Sequence, residues 1–461
     1  MADPCDMEVP PLEAGSLLPF IGRERLGALA DAAAQARHAL GGATVWNISS
    51  TAAGGGVAEM LPLLVGYARG SGVDARWVVL DCDEAFFQIT KRLHNRLHGA
   101  TGDGGALGRT ESVSYSAVMA ANAAALTERV RRDDVAVLHD PQAAGLAGAL
   151  SELGVRVIWR CHVGTERTNG FTDEAWAFLT PQLEGSHAFV FSHRGFVPRH
   201  LGGKDVWVIP PSIDPLSPKN PKLSAATVRA LLGRIDLAPG PDGAGTMGSA
   251  STRGAGLVAS QERLVVQVSR WDRLKDMQGV LEGFADRMAG RSDCRLALVG
   301  PAVAEVSDDP EGAAVLGECV AAWESLPTRQ RDAIRLVTLP MDDLELNALM
   351  VNAVQRRADV VVQKSLEEGF GLTVAEAMWK SRPVVASAVG GIVDQVAPGT
   401  GVLLADPSDL VAFGDALADL LARSDELAAM GRRARRRIRS HFLSDRHLVD
   451  YARLLVHVAG V

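Results

Sequence analysis

Short β-branched apolar runs alternate along the chain with longer stretches of helical spacing. Runs at 43–48, 76–80, 135–138, 155–160, 189–192 and 206–209 read as strands, and a second series follows at 263–270, 295–299, 334–339, 358–362 and 384–387. Between them, 23–40 carries Leu26, Leu29, Ala33 and Ala36 at helical spacing, and 86–97 puts Phe86, Ile89, Leu93 and Leu97 on one face. After Asp406 the chain is helical to its end. Strands that are apolar throughout, separated by helices, imply parallel sheets covered on both faces. The 461 residues are enough for two such domains. The expected fold class is therefore α/β, with two doubly wound Rossmann-like domains.

The stretch Pro210-Pro-Ser-Ile-Asp-Pro215 fixes backbone angles and stops strand pairing, so the first domain is expected over 1–210 and the second over 211–440. Residues 1–15 show no periodicity and read as a loose arm. Residues 239–260 are mostly Gly, Ala, Ser and Thr, and read as a flexible insertion whose removal should leave folding intact.

Apolar residues make up 47% and charged ones 22% of the chain, which is globular composition. No apolar run is long enough to span a bilayer and the N-terminus lacks the order of a signal peptide, so a cytoplasmic protein without a membrane span is expected. Cys5, Cys82, Cys161, Cys294 and Cys319 are odd in number and widely spaced, which argues against a disulfide framework and structural zinc. The net charge of −8 argues against a nucleic-acid partner. The run Arg432-Arg-Ala-Arg-Arg-Arg437 lacks interleaved aromatics and reads as a solvated helix face.

The densest chemistry lies where the strand ending at Gln363 meets a helix starting near Leu372. The amides of Gly369, Phe370, Gly371, Leu372 and Thr373 form an anion site at a helix N-terminus. Glu368 and Glu376 bracket this turn with seven residues between them. Glu376 could accept hydrogen bonds from vicinal hydroxyls, although a cap and a solvated helix residue suit the same spacing. Gly54, Gly55 and Gly56 form a second strand-to-helix loop, either a plain turn or a site of close backbone approach. Arg270 and Lys275, five residues apart past a strand end, could clamp a diphosphate. His162 and Asp140 follow strand ends, where ligands gather in open α/β sheets. Lys91 and His94 share the polar face of 86–97, by default a solvated one. Asp81-Cys-Asp83 has the form of a metal-binding Asp-x-Asp but is read as coincidence, so no metal is expected.

Taken together, the turn around Glu368 and Glu376, the Gly390-Gly391 turn, the triglycine loop and the Arg270/Lys275 pair resemble the retaining glycosyltransferases of family 4, and most closely the trehalose glycosyltransferring synthases. The resemblance runs from about Val45 to Phe442. It implies the GT-B fold, two Rossmann-like domains across a cleft, with a last helix, 441–461, returning to the first domain. It also implies transfer of glucose from ADP-, UDP- or GDP-glucose to glucose, giving trehalose. By resemblance Glu368 and His162 meet the donor sugar, Glu376 the ribose, and Arg270, Lys275 and the 369–373 amides the diphosphate. Gly54–Gly56 would lie over the phosphates, while Asp140, Lys91 and His94 fall on the acceptor side. No cofactor is implied, the partners are small sugars, and a homodimer is compatible with the sequence. A trehalose phosphorylase, a family 4 transferase with another small acceptor, and a sugar-binding regulatory protein are the alternatives.

Overall fold

The computed structural model describes residues 2–52, 55–238, 251–254, 258–288, 290–291, 293–303 and 311–460. It divides into two compact units, Met1–Ser212 with Leu443–Val461, and Ile213–Phe442.

The first unit is built on strands β1 (Cys5–Met7), β2 (Val45–Ser49), β3 (Ala75–Val79), β4 (Val135–His139), β5 (Arg156–Cys161), β6 (Ala188–Phe191) and β7 (Val206–Val208), in the order β1-β3-β2-β4-β5-β6-β7. All neighbours are parallel except β1, which pairs antiparallel with β3. Alternation along the strands sorts the core into two layers. Trp46, Ile48, Leu138 and Trp159 face the layer with Phe86, Leu93, Tyr115 and Met119. Val45, Val137, Ile158 and Val190 face Ala36, Leu61, Val65 and Leu454 on the other side.

The amino-terminal segment is not the loose arm expected. Cys5–Met7 extends the sheet, Val9 is buried, and the Leu12 amide donates to the Gly66 carbonyl at 2.8 Å. A Cβ at Gly70 would lie 1.9 Å from the Leu12 carbonyl oxygen, so the two backbones touch. A three-residue strand followed by single contacts carries no repeating pattern, which is why periodicity missed it.

The helix Ser444–Ala459 packs on Leu18–Leu40 within this unit. Asp445, buried, accepts a bidentate pair from Arg25 at 2.6 and 2.7 Å. Arg446 donates to the carbonyls of Pro210 and Pro211, and His447 shares a 3.0 Å hydrogen bond with Ser212. The helix thereby holds the proline segment by its backbone.

The second unit contains β8 (Ser251–Arg253), β9 (Arg263–Val268), β10 (Cys294–Pro301), β11 (Ile334–Leu339), β12 (Val360–Gln363), β13 (Val384–Ser387) and β14 (Val402–Leu404), in the order β14-β13-β12-β9-β10-β11-β8. Only β8 runs antiparallel, against β11. This corrects the reading of 239–260 as one dispensable insertion. Thr252 Oγ1 donates to the Ile235 carbonyl at 2.8 Å, and Val258 is 2% exposed. Residues 239–250 and 255–257 lie outside the described residues. A small polar strand at a sheet edge has little hydrophobic signal, and β8 went unseen for that reason. No described helix is long and apolar enough to cross a membrane.

Two stability outcomes follow. Asp445→Ala should cost about 2 to 3 kcal/mol in urea unfolding, because it strips a buried charge-assisted pair. A double-mutant cycle with Arg25→Ala should return a clear coupling energy, and strict additivity would deny the pair that role. Val258→Asp should lower the melting temperature of the second unit, whereas an unchanged transition would restore the dispensable-loop reading.

Candidate functional site

In each sheet the strand order reverses once, and ligands of open α/β sheets gather outside the strand ends at that point. In the second unit it lies between β9 and β12. The chain leaving β9 carries Arg270 to Asp276, and the chain leaving β12 carries Lys364 to Gly371. The two segments are tied together. Lys275 Nζ donates to both oxygens of Glu368 at 2.8 Å, and Ser365 Oγ donates to Glu368 Oε2 at 3.1 Å. Gln267 Nε2 donates to the Lys275 carbonyl at 2.7 Å, while its Oε1 accepts from the Lys364 amide at 3.2 Å. Lys364, fully buried, forms an ion pair with Asp276, and the Leu366 amide donates to the Leu274 carbonyl. Burial raises the Asp276 carboxyl above its ordinary range, and Lys364 opposes that shift. Arg270 lies beside Asp272 at 3.5 Å. Arg273 instead pairs with Glu318 at 2.6 Å.

The turn ends at Gly371, whose φ of 83° makes it a left-handed N-cap for the helix Leu372–Trp379. Val374 and Ala375 donate back to the Gly371 carbonyl, so Leu372 and Thr373 are the amides for which the helix itself provides no acceptor. Phe370 is buried, and the Gly390-Gly391 turn packs against it. A Cβ at Gly391 would sit 2.9 Å from Phe370 Cα and 3.0 Å from the Gly369 carbonyl oxygen, which demands glycine there. Thr373 Oγ1 donates to Gln363 Oε1 at 2.8 Å, fixing the first helical turn to the end of β12. Glu376 is 3% exposed, with Lys219 Nζ 4.0 Å away. Lys380 is buried behind it, donating to Asn220, Gln355 and the Glu376 carbonyl, and burial lowers its ammonium to about 7.

In the first unit the reversal lies between β2 and β4. His139, the last residue of β4, shares a 3.3 Å contact through Nε2 with Asn47 Oδ1 of β2. Its Nδ1 lies 3.3 Å from His162 Nε2. Asp140 has a left-handed φ of 62°, and its Oδ1 accepts from the His162 amide at 2.7 Å. His162 and Asp140 are therefore together, as the strand-end argument expects. Gly55 caps the helix Gly56–Gly70 in an extended conformation with open space beside its Cα. Gly54 lies outside the described residues. Lys91 and His94 are on the half-buried side of the helix Glu84–Leu97, where the His94 ring meets His98 edge-on. Asp83 caps that helix through the Phe86 amide, and Asp81 accepts from the Asp3 amide. Among the described residues no group of three or more His, Cys, Asp or Glu side chains is placed to hold a metal ion.

Sequence reasoning missed Asn47, His139, Gln267 and Lys219. A lone polar residue inside an apolar strand, such as Asn47 or Gln267, was the available signal. Arg432–Arg437 proves to be structural in part: Arg437 donates to the Gln395 and Asp394 carbonyls, and Arg435 stacks over Trp379.

Burial and the Arg160 charge lower His139 from its ordinary 6.5 to about 3. Burial lowers His162 and His447 too, helped by Arg160 for His162 and by Arg446 for His447. Below about pH 6.5 the unfolded chain takes up protons at these three sites that the folded chain refuses, so stability falls with pH. Burial raises Asp140 to about 7 and raises Asp276 as well, an opposite effect at two carboxyls, while His200, also lowered by burial, adds to the other three histidines. The urea midpoint should therefore drop between about pH 7 and pH 5, and His447→Gln should flatten the slope. A midpoint insensitive to acid would mean that these histidines are not held neutral.

Comparison with known proteins places the chain. The family described as "Trehalose synthase, N-terminal domain" matches residues 47–198, and "Glycosyl transferases group 1" matches 345–437. A trehalose synthase of Rubrobacter xylanophilus is 35% identical, covering 96% of each chain, and one of Thermococcus litoralis is 34% identical, covering 89% of each. Among solved structures, an α,α-trehalose-phosphate synthase (UDP-forming) of Burkholderia vietnamiensis superposes with a TM-score of 0.68 at 17% identity, covering 91% of this chain and 99% of the other. The two-domain α/β architecture expected as GT-B is thus borne out. With a glycosyltransferase match in each unit and a 35% identical trehalose synthase along nearly its whole length, the chain belongs to the trehalose synthase family of group 1 glycosyltransferases.

Proposed function

We propose that this protein transfers glucose from a nucleoside-diphosphate glucose to free glucose with retention of configuration, giving trehalose. The observation that carries the reading is the Lys275–Glu368 pair beside the Leu372 and Thr373 amides at the strand-order reversal. An ammonium has three donors, and two of those on Lys275 are spent on Glu368, which leaves one for a phosphate oxygen. Lys275 thereby holds Glu368 toward the sugar hydroxyls while meeting the leaving diphosphate. Arg270 and the helix N-terminus add positive potential where negative charge grows as the bond to the sugar breaks. Glu376, with Lys219 as its countercharge, takes the ribose hydroxyls. His162 meets the donor sugar, the Gly54–Gly56 loop covers the phosphates, and Asp140, Lys91 and His94 serve the acceptor. The reaction is proposed to run without a divalent metal, Asp81 and Asp83 being read as structural groups that accept the Asp3 and Phe86 amides. With no protein nucleophile assigned, the acceptor hydroxyl attacks from the face that the diphosphate leaves.

The direct test incubates the pure protein with ADP-, UDP- or GDP-glucose and glucose in excess chelator, and reads products by NMR. Trehalose and free nucleoside diphosphate are expected with full activity. Dependence on added manganese would revive Asp81 and Asp83, and turnover only with inorganic phosphate would make the protein a phosphorylase. Kinetics should separate the two roles. Lys275→Ala should lower kcat roughly 10² to 10³-fold, because its contact strengthens in the transition state. Glu376→Ala should chiefly raise the donor KM, because ribose is held alike in both states. Intact kcat in the first variant, or unchanged KM in the second, would put the donor elsewhere.

A further inference from the structure

Behind the half-buried His162, the first unit holds two further neutral hydrogen-bonding groups, half-buried Asn47 and buried His139, to which the proposed chemistry gives no role. Asn47 Nδ2 donates to the Arg76 carbonyl at 3.4 Å, which turns Oδ1 toward His139 Nε2 at 3.3 Å. An amide oxygen can only accept, so His139 carries its proton on Nε2. A neutral imidazole has one proton, and His139 Nδ1 is then an acceptor. The partner 3.3 Å away, His162 Nε2, must be the donor. The two rings are only 16° from parallel with centroids 5.6 Å apart, so they meet edge to edge in the plane that an N–H···N bond needs. His162 Nδ1 is left with a lone pair.

Burial, and after it the charge of Arg160, disfavours protonation of both imidazoles. Arg160 sits beside His139 in the β4–β5 register, is fully buried, and donates through Nη2 to Ser192 Oγ at 3.2 Å and the Ile209 carbonyl at 2.7 Å. Its Nε and Nη1 have no hydrogen-bond partner. A guanidinium next to two imidazoles disfavours a second positive charge on either.

We propose that Asn47 and His139 are positioning residues for His162, holding it as the neutral Nε2–H tautomer so that Nδ1 accepts a hydrogen bond from a sugar hydroxyl. This rests on the reading of His162 as a donor-sugar contact. Reversing the Asn47 amide would reverse every proton in the chain and present Nδ1–H instead, so the amide orientation selects what His162 offers.

The test is 15N NMR of the full-length, ligand-free protein labelled at histidine, with His162 assigned by its loss in His162→Gln. At neutral pH the wild type should show protonated Nε2 and bare Nδ1. His139→Leu, which removes the acceptor, should give a mixture of tautomers and lower kcat about tenfold or more. His139→Gln, whose amide oxygen can still accept, should restore both. An Nδ1–H tautomer or an imidazolium in the wild type overturns the proposal, as does an unchanged tautomer in His139→Leu. Sugar nucleotide is then added to the wild type. If the tautomer is as expected but the His162 signals do not move, the donor-site assignment of His162 fails while the hydrogen-bond chain stands.

Discussion

Two opposite charges face each other across a pair of adjacent parallel strands, and the second unit is arranged to keep them there. The side chains of Lys275 and Glu368 are 17% and 11% exposed. Removing either partner would leave the other largely out of water without its countercharge, a cost of several kcal/mol in buried pairs. The loops after β9 and β12 must therefore approach closely, and Gln267, Ser365 and the Asp276–Lys364 pair fix the approach. Gly371 and Gly391 are the backbone's share of the same arrangement. One opens the helix in a left-handed conformation, and the other lets the neighbouring turn lie against it.

The first unit treats the equivalent place differently. There the reversal is bridged by neutral groups, Asn47, His139 and His162, with the cation Arg160 buried beside them. A charged clamp suits a ligand whose charge grows during reaction, whereas a neutral, oriented imidazole suits hydroxyl groups. The C-terminal helix is fixed to the same unit through His447, which bonds Ser212, and through the Arg25–Asp445 pair.

Both sheets were legible in the sequence because buried parallel strands are apolar throughout, as in the run Val360–Gln363. Arg270, Lys275, Glu368 and Glu376 were singled out by the family resemblance, since their place beside strand ends and a glycine turn fits a plain structural role as well. What escaped was local or paired across long sequence separations. The edge strands β1 and β8 are short, and their side chains are mostly exposed, so neither periodicity nor apolarity marks them. That Lys275 grips Glu368 depends on β9 lying beside β12, a neighbour relation that no local spacing encodes. Asn47 and Gln267 look like isolated polar residues until the opposing strand supplies the partner. Val258 follows Leu257 in a Gly-rich stretch without periodicity, and its burial depends wholly on tertiary context.

The central claim is that the turn between β12 and the helix Leu372–Trp379 receives a diphosphate. Amide hydrogen exchange of the segment 364–380, with and without saturating nucleoside diphosphate, tests it most directly. In the free protein the Leu372 and Thr373 amides have no intrahelical acceptor and should exchange quickly. Bound phosphate oxygens would accept from them, so the account predicts marked slowing at these positions. Unchanged exchange there, under conditions where the ligand is shown to be bound, would contradict it.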